Sequence, residues 1–138
     1  MLLDTHVWIW AAADAPRRLG PKTRRLIAKA ARDGELFVST ASVFEITALV
    51  TAARLKLTQP VARWIAASIE RGALRVLDVG IGAALDAGAI PSSALADPID
   101  RLLVATSREH QLPLVTRDEA IADYARRTRL VNVIDASR

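Results

Sequence analysis

Met1-Leu2-Leu3-Asp4-Thr5-His6-Val7-Trp8 opens the chain with an apolar run, a single carboxylate and a second apolar stretch. Met1 to Leu3 reads as a short strand, with a helix beginning near His6. Asp4 is the only acidic residue between Met1 and Ala13, amid Leu2, Leu3, Val7, Trp8, Ile9 and Trp10. It falls at the carboxyl end of a first, central strand, and in open parallel sheets ligands bind in the crevice beyond such ends. The ordinary alternative for Asp4 is an N-cap of the helix that follows.

Outward from this stretch, short apolar runs alternate with helix-length segments. A basic helical segment spans Asp14 to Asp33, with Pro21 suited to its first turn and Gly34 to its stop. Leu36-Phe37-Val38 reads as a second strand, and Ser39 and Thr40 cap a helix over about Ala41 to Ala53. Pro60 opens a helix that ends near Gly72, and Leu74 to Val79 is a third strand. A short Ala/Gly-rich helix follows. The loop Pro91 to Ala96 leads to a helix starting at Asp97-Pro98. Pro113 to Thr116 is a fourth strand, Asp118 starts another helix, and Val131 to Ile134 is a fifth strand. This alternation predicts one α/β domain over residues 1–138, its parallel sheet covered by helices on both faces.

Three further acids stand where burial is expected. Glu45 is the only charged residue between Glu35 and Arg54, surrounded by Val43, Phe44, Ile46, Leu49 and Val50. Burying it alone would cost several kcal/mol or neutralise it. In Asp97-Pro98-Ile99-Asp100, Asp97 suits an N-cap and Asp100 the third helical position, where the helix dipole favours a carboxylate. Leu102, Leu103, Val104 and Ala105 follow at once, so the helix should be mostly buried and Asp100 must face the sheet edge or another acid. Asp118 follows the strand Leu114-Val115 and is a second acid at a strand's carboxyl end. Each has a capping or surface explanation when taken alone. Together in one cleft they would repel and raise each other's pKa, and a divalent cation removes that conflict. An all-oxygen donor set points to Mg²⁺ or Mn²⁺ rather than zinc.

Composition narrows the alternatives. The chain has 138 residues and no cysteine, which excludes disulfides and thiolate metal sites. Two histidines, His6 and His110, leave little for a zinc site or a triad. No run approaches the ~20 apolar residues of a membrane span, and no signal peptide is evident, so the cytoplasm is expected. A net charge of +4 permits a nucleic-acid partner without demanding one. The stretch Arg17, Arg18, Lys22, Arg24, Arg25, Lys29 and Arg32 is the first candidate for phosphate contact, against a solvated helix face. Arg101 could hold Asp100 ionised or touch phosphate. Asp86, Asp123 and Asp135 read as surface or cap residues, and Trp8 and Trp10 as packing residues. A phosphotransfer receiver would need an acceptor aspartate after the third strand, where Asp78 is a poor candidate.

These residues resemble the PIN-domain family, in particular the toxins of VapBC-type toxin–antitoxin pairs. Leu2 to Trp8 is similar to the family's opening strand and first acid, and Ser39-Thr40-Ala41-Ser42-Val43-Phe44-Glu45-Ile46 to its second motif. Asp97 to Thr106 resembles the third motif, and Leu114 to Asp118 the fourth. The resemblance covers nearly the whole chain. It implies a three-layer fold with a five-stranded parallel sheet and a Mg²⁺- or Mn²⁺-dependent endoribonuclease. It further implies an antitoxin partner, a homodimer and a toxin–antitoxin hetero-oligomer. Asp4, Glu45, Asp100 and Asp118 would be catalytic, with Asp4 and Asp100 as direct metal ligands. Asp97, Thr116 and Arg101 would be accessory. RNA as substrate rests on the resemblance. A metal-dependent DNA nuclease or other phosphoesterase, and a non-catalytic binding module, are the alternatives.

Overall fold

The computed structural model describes residues 1–13, 15 and 17–138. Five strands form one sheet: β1 (Leu2–Leu3), β2 (Phe37–Ser39), β3 (Arg75–Leu77), β4 (Leu114–Thr116) and β5 (Val133–Asp135). All neighbours pair in parallel, in the order β3-β2-β1-β4-β5. Around the sheet lie α1 (Thr5–Ala12), α2 (Pro21–Arg32), α3 (Thr40–Thr51), α4 (Val61–Gly72), α5 (Ile81–Ala89), α6 (Pro98–Glu109) and α7 (Glu119–Thr128).

The period-two alternation of a strand divides the core into two layers. Leu3 and Val115 pair in register and pack with Val7, Trp8, Val38, Ile46 and Trp64 on one face. Leu2 and Leu114 pair in register and pack with Leu95, Leu103, Val104, Ile121 and Tyr124 on the other. The five-stranded α/β architecture expected from the sequence is therefore present.

Strand order places the site. The chain winds outward from β1 through β2 to β3, then returns to the other side of β1 with β4 and continues to β5. The reversal lies between β1 and β4, the switch point at which a crevice opens beyond the strand ends. Asp4 follows β1 there, and Arg117 and Asp118 follow β4. Asp78 instead follows β3 at the sheet's edge, away from this crevice.

Two local expectations need correction. The basic helix starts at Pro21, so Arg17 and Arg18 stand in a turn before it; Asp14, the expected start, lies outside the described residues. Gly34 does terminate this region, with φ +69° in the left-handed range that glycine tolerates. Helix α3 is not buried all round: Phe44 is 67% exposed. Of the apolar residues on α4, Trp64 is buried, and Val61, Ile65 and Ile69 pack partly against the core.

Candidate active site

Asp4, Glu45, Asp97, Asp100 and Asp118 line one solvent-open cavity together with His6, Trp10 and Arg117. Its volume is about 230 Å³, smaller than the ~300–1,000 Å³ usual for organic ligands. It suits ions and a phosphate group better than a whole small molecule.

Three of the acids both cap a helix and line the cavity. Asp4 caps α1, its Oδ1 accepting from the His6 backbone N–H at 2.8 Å. Asp97 caps α6 through the Ile99 N–H at 2.7 Å, and Asp118 caps α7 through the Ile121 N–H at 3.0 Å. Each cap orients its carboxyl group at a helix N-terminus, where the helix dipole favours negative charge. The starts of α1, α6 and α7 thus converge on one crevice. Asp100 lies in the first turn of α6, and Glu45 reaches the cavity from α3, half-buried.

Thr116 joins two of the acids. Its hydroxyl donates to Asp4 Oδ2 and accepts the Asp118 backbone N–H at 2.9 Å. Thr116 is fully buried and Asp4 is 6% exposed, so this hydroxyl fixes the carboxylate that has least water to solvate it.

Burial pushes the Asp4 carboxyl above its ordinary pKa, against the opposing Thr116 hydroxyl and His6 N–H. Burial likewise raises Glu45; the nearby Thr5 hydroxyl, which donates to Ser42 at 2.8 Å, does not offset it. Asp100 is pushed up to about 8, first by burial and then by Asp97, Asp118, Asp4 and Glu45. All four neighbouring acids therefore act on Asp100, which marks it as the focus of the negative charge.

The accessory residues fare differently. Asp97 lines the cavity, and Thr116, behind it, bonds Asp4 and the Asp118 N–H. Arg101 does not line the cavity: its guanidinium donates to the carbonyls of Ile90 at 3.3 Å and Ala96 at 3.5 Å, holding the loop before α6. Arg17, Lys22 and Arg25 are exposed and also absent from the lining. Asp86 pairs with Arg108 at 3.4 Å and Asp123 with Arg126, ordinary surface contacts. Trp8 is buried, its indole N–H donating to Ser68 at 3.1 Å.

His6, Trp10 and Arg117 are cavity residues that sequence reasoning passed over. The available signal was helical spacing: His6 and Trp10 are four apart on the helix that Asp4 caps, so they share a face. Their rings lie 5.9 Å apart.

A family model for the PIN domain matches residues 1–127. The chain belongs to the PIN-domain family. It is 37% identical over 124 residues to Ribonuclease VapC22 of Mycobacterium tuberculosis, covering 90% of this chain and 91% of that protein. Among solved structures, VapBC2 from Rickettsia felis bound to a DNA fragment from its promoter superposes with a TM-score of 0.68. Sequence identity there is 13%, with 96% of each chain covered. DNA-bound VapBC from Salmonella typhimurium gives 0.66 at 20% identity, over 97% of this chain and 96% of that one. At such identities the structural likeness establishes the fold, and this PIN domain shares it from end to end.

Proposed function

We propose that this PIN domain is a metal-dependent endoribonuclease and the toxin of a type II toxin–antitoxin pair. The carrying observation is the convergence of five carboxylates on one crevice at the sheet's switch point. The relative named Ribonuclease VapC22 supports RNA as the substrate.

The donor set fits a hard divalent cation. It is all oxygen apart from His6, and Asp100, with a pKa near 8, would stay largely protonated at neutral pH without a positive charge beside it. Among the described residues, no three Asp, Glu or His side chains stand close enough to hold an ion as placed. Holding an ion would therefore require the half-buried Glu45 and Asp100 side chains to shift. Asp4 and Asp100 would be the direct ligands of Mg²⁺ or Mn²⁺. When bound, such an ion makes water more acidic and neutralises charge at the phosphate.

The protein's own groups do the rest. Thr116 holds the Asp4 carboxylate in one orientation. Glu45 and Asp118 orient the water that adds to phosphorus as an ester oxygen departs with a proton. Asp97, exposed at the cavity's edge, adds to the negative charge that draws cations inward.

An antitoxin protein, a homodimer and a toxin–antitoxin hetero-oligomer belong to the same reading. The VapBC neighbours support the first, and exposed Phe44, Ile81 and Leu85 give apolar surface for protein contacts. No helix among the described residues is long and apolar enough to cross a membrane.

The test compares cleavage of single-stranded RNA and DNA of one sequence, with Mg²⁺ and with EDTA, beside expression of wild type and Asp100→Asn in a host cell. RNA cleavage that needs the metal, with growth arrest by wild type alone, is expected. Cleavage of DNA in preference to RNA would replace the substrate, and equal toxicity of both proteins would separate growth arrest from this site.

A further inference from the structure

The acid cavity presents five carboxylates to a substrate that is itself a polyanion. Of its lining residues, Arg117 is the one with a permanent positive charge. Arg117 also lines a second cavity of about 360 Å³ between α7 and β5, shared with Asp118, Arg126 and Arg138. Arg117 therefore borders both cavities.

Contacts other than a carboxylate hold that guanidinium in place. Nη1 donates to the Arg18 carbonyl at 3.0 Å, and the guanidinium carbon lies 5.7 Å from the centre of the Trp10 ring. Trp10 is half-buried in the wall of the acid cavity, and a cation over an indole face is held by the ring's negative face. A guanidinium has five N–H donors, so most of the fork is left for a ligand. Of the neighbouring cations, Arg126 pairs with Asp123, Arg138 with Asp135 at 3.5 Å, and Arg101 bonds two carbonyls; Arg18 shares the Trp10 ring at 5.9 Å but lines neither cavity. Among the described residues, Arg117 makes no ion pair within the usual distance.

We propose that Arg117 binds the phosphate of single-stranded RNA adjacent to the one that is cleaved, and that Trp10 is the positioning residue that holds it there. The scissile phosphate lies among the carboxylates. The next one passes over the ridge between the cavities, where the fork can bind it bidentately. The strand then continues into the α7–β5 cavity. This inference rests on the nuclease reading above and adds the path of the substrate.

The test measures binding rather than cleavage. Asp100→Asn protein, with Mg²⁺ present, is titrated onto a fluorescein-labelled single-stranded RNA across a range of salt. Adding Arg117→Gln should weaken binding about tenfold and reduce the salt slope by ~0.7, the value for one phosphate contact on a single strand. Arg117→Lys, which keeps the charge, should retain the slope. Arg63→Gln, exposed on α4 and lining neither cavity, should leave both quantities unchanged. Trp10→Ala should lose several-fold in affinity, and Trp10→Phe should recover it, with circular dichroism confirming that each variant is folded. An unchanged slope in Arg117→Gln, or an equal loss in Arg63→Gln, overturns the Arg117 assignment while the nuclease reading stands. Trp10→Ala binding like the parent overturns the role of Trp10. No RNA binding by the Asp100→Asn parent overturns the nuclease reading and the substrate path together.

Discussion

Replacing Asp100 with Asn should stabilise the metal-free protein, and the gain should depend on pH. Asp100 is raised from an ordinary 3.8 to about 8 by burial and by four neighbouring acids. Below the ordinary carboxylate range, native and unfolded states both carry the proton and the cost vanishes. As pH rises towards about 8, the unfolded chain ionises while the native site resists, so stability falls; above that value the loss is constant. At ~1.4 kcal/mol per pH unit the ceiling at neutral pH is on the order of 4 kcal/mol. The side chain is only half-buried, and solvent screening reduces the expected gain to ~2 kcal/mol. That corresponds to roughly 6 °C in Tm for a chain of this size. Thermal unfolding followed by circular dichroism in EDTA, near pH 4 and near neutrality, measures it. Mg²⁺ should then stabilise wild type more than Asp100→Asn, because an ion that binds only the native state raises its stability. A variant less stable than wild type at both pH values, or a difference that ignores pH, would refute charge crowding at Asp100.

Asp4→Asn should abolish cleavage and leave the fold intact, as read by an RNA cleavage assay beside circular dichroism, since it removes a ligand charge and almost no volume. Thr116→Val should lower activity at least tenfold and cost ~1–3 kcal/mol, because buried Asp4 and the Asp118 N–H both lose their partner. Glu45→Gln should weaken activity and its metal dependence, whereas Asp86→Asn, which only breaks a surface pair with Arg108, should change neither. Ser68→Ala should cost ~1 kcal/mol by denaturant unfolding with cleavage unchanged, since it leaves the Trp8 indole N–H unpaired far from the carboxylates.

The alternation of apolar runs with helix-length segments carried the fold, because each strand's residues face two separate core layers and must be apolar on both. The acids were legible for a related reason. A lone carboxylate among apolar neighbours such as Leu3, Val115 or Leu103 draws notice, even though Asp4 and Asp118 also cap the helices that follow them. Arg101 was misplaced because residues one apart on a helix point about 100° from each other. Standing next to Asp100, it turns to the loop carbonyls of Ile90 and Ala96. Arg117 was missed for the converse reason. Its role depends on α1 bringing Trp10 beside the loop after β4, a contact between residues 107 positions apart that no local pattern records. The basic residues of α2 were conspicuous in the sequence, yet Lys22, Arg24, Arg25, Lys29 and Arg32 occupy its outer, exposed face.

Whether the crevice between β1 and β4 is a cation site can be read directly by soaking crystals of the metal-free protein in Mn²⁺ and recording its anomalous scattering. One peak within ~2.2 Å of carboxylate oxygens of both Asp4 and Asp100 is expected, and it should vanish in Asp4→Asn. Saturating Mn²⁺ that leaves this crevice empty, or that binds only at surface carboxylates such as Asp123, would contradict the metal-dependent mechanism.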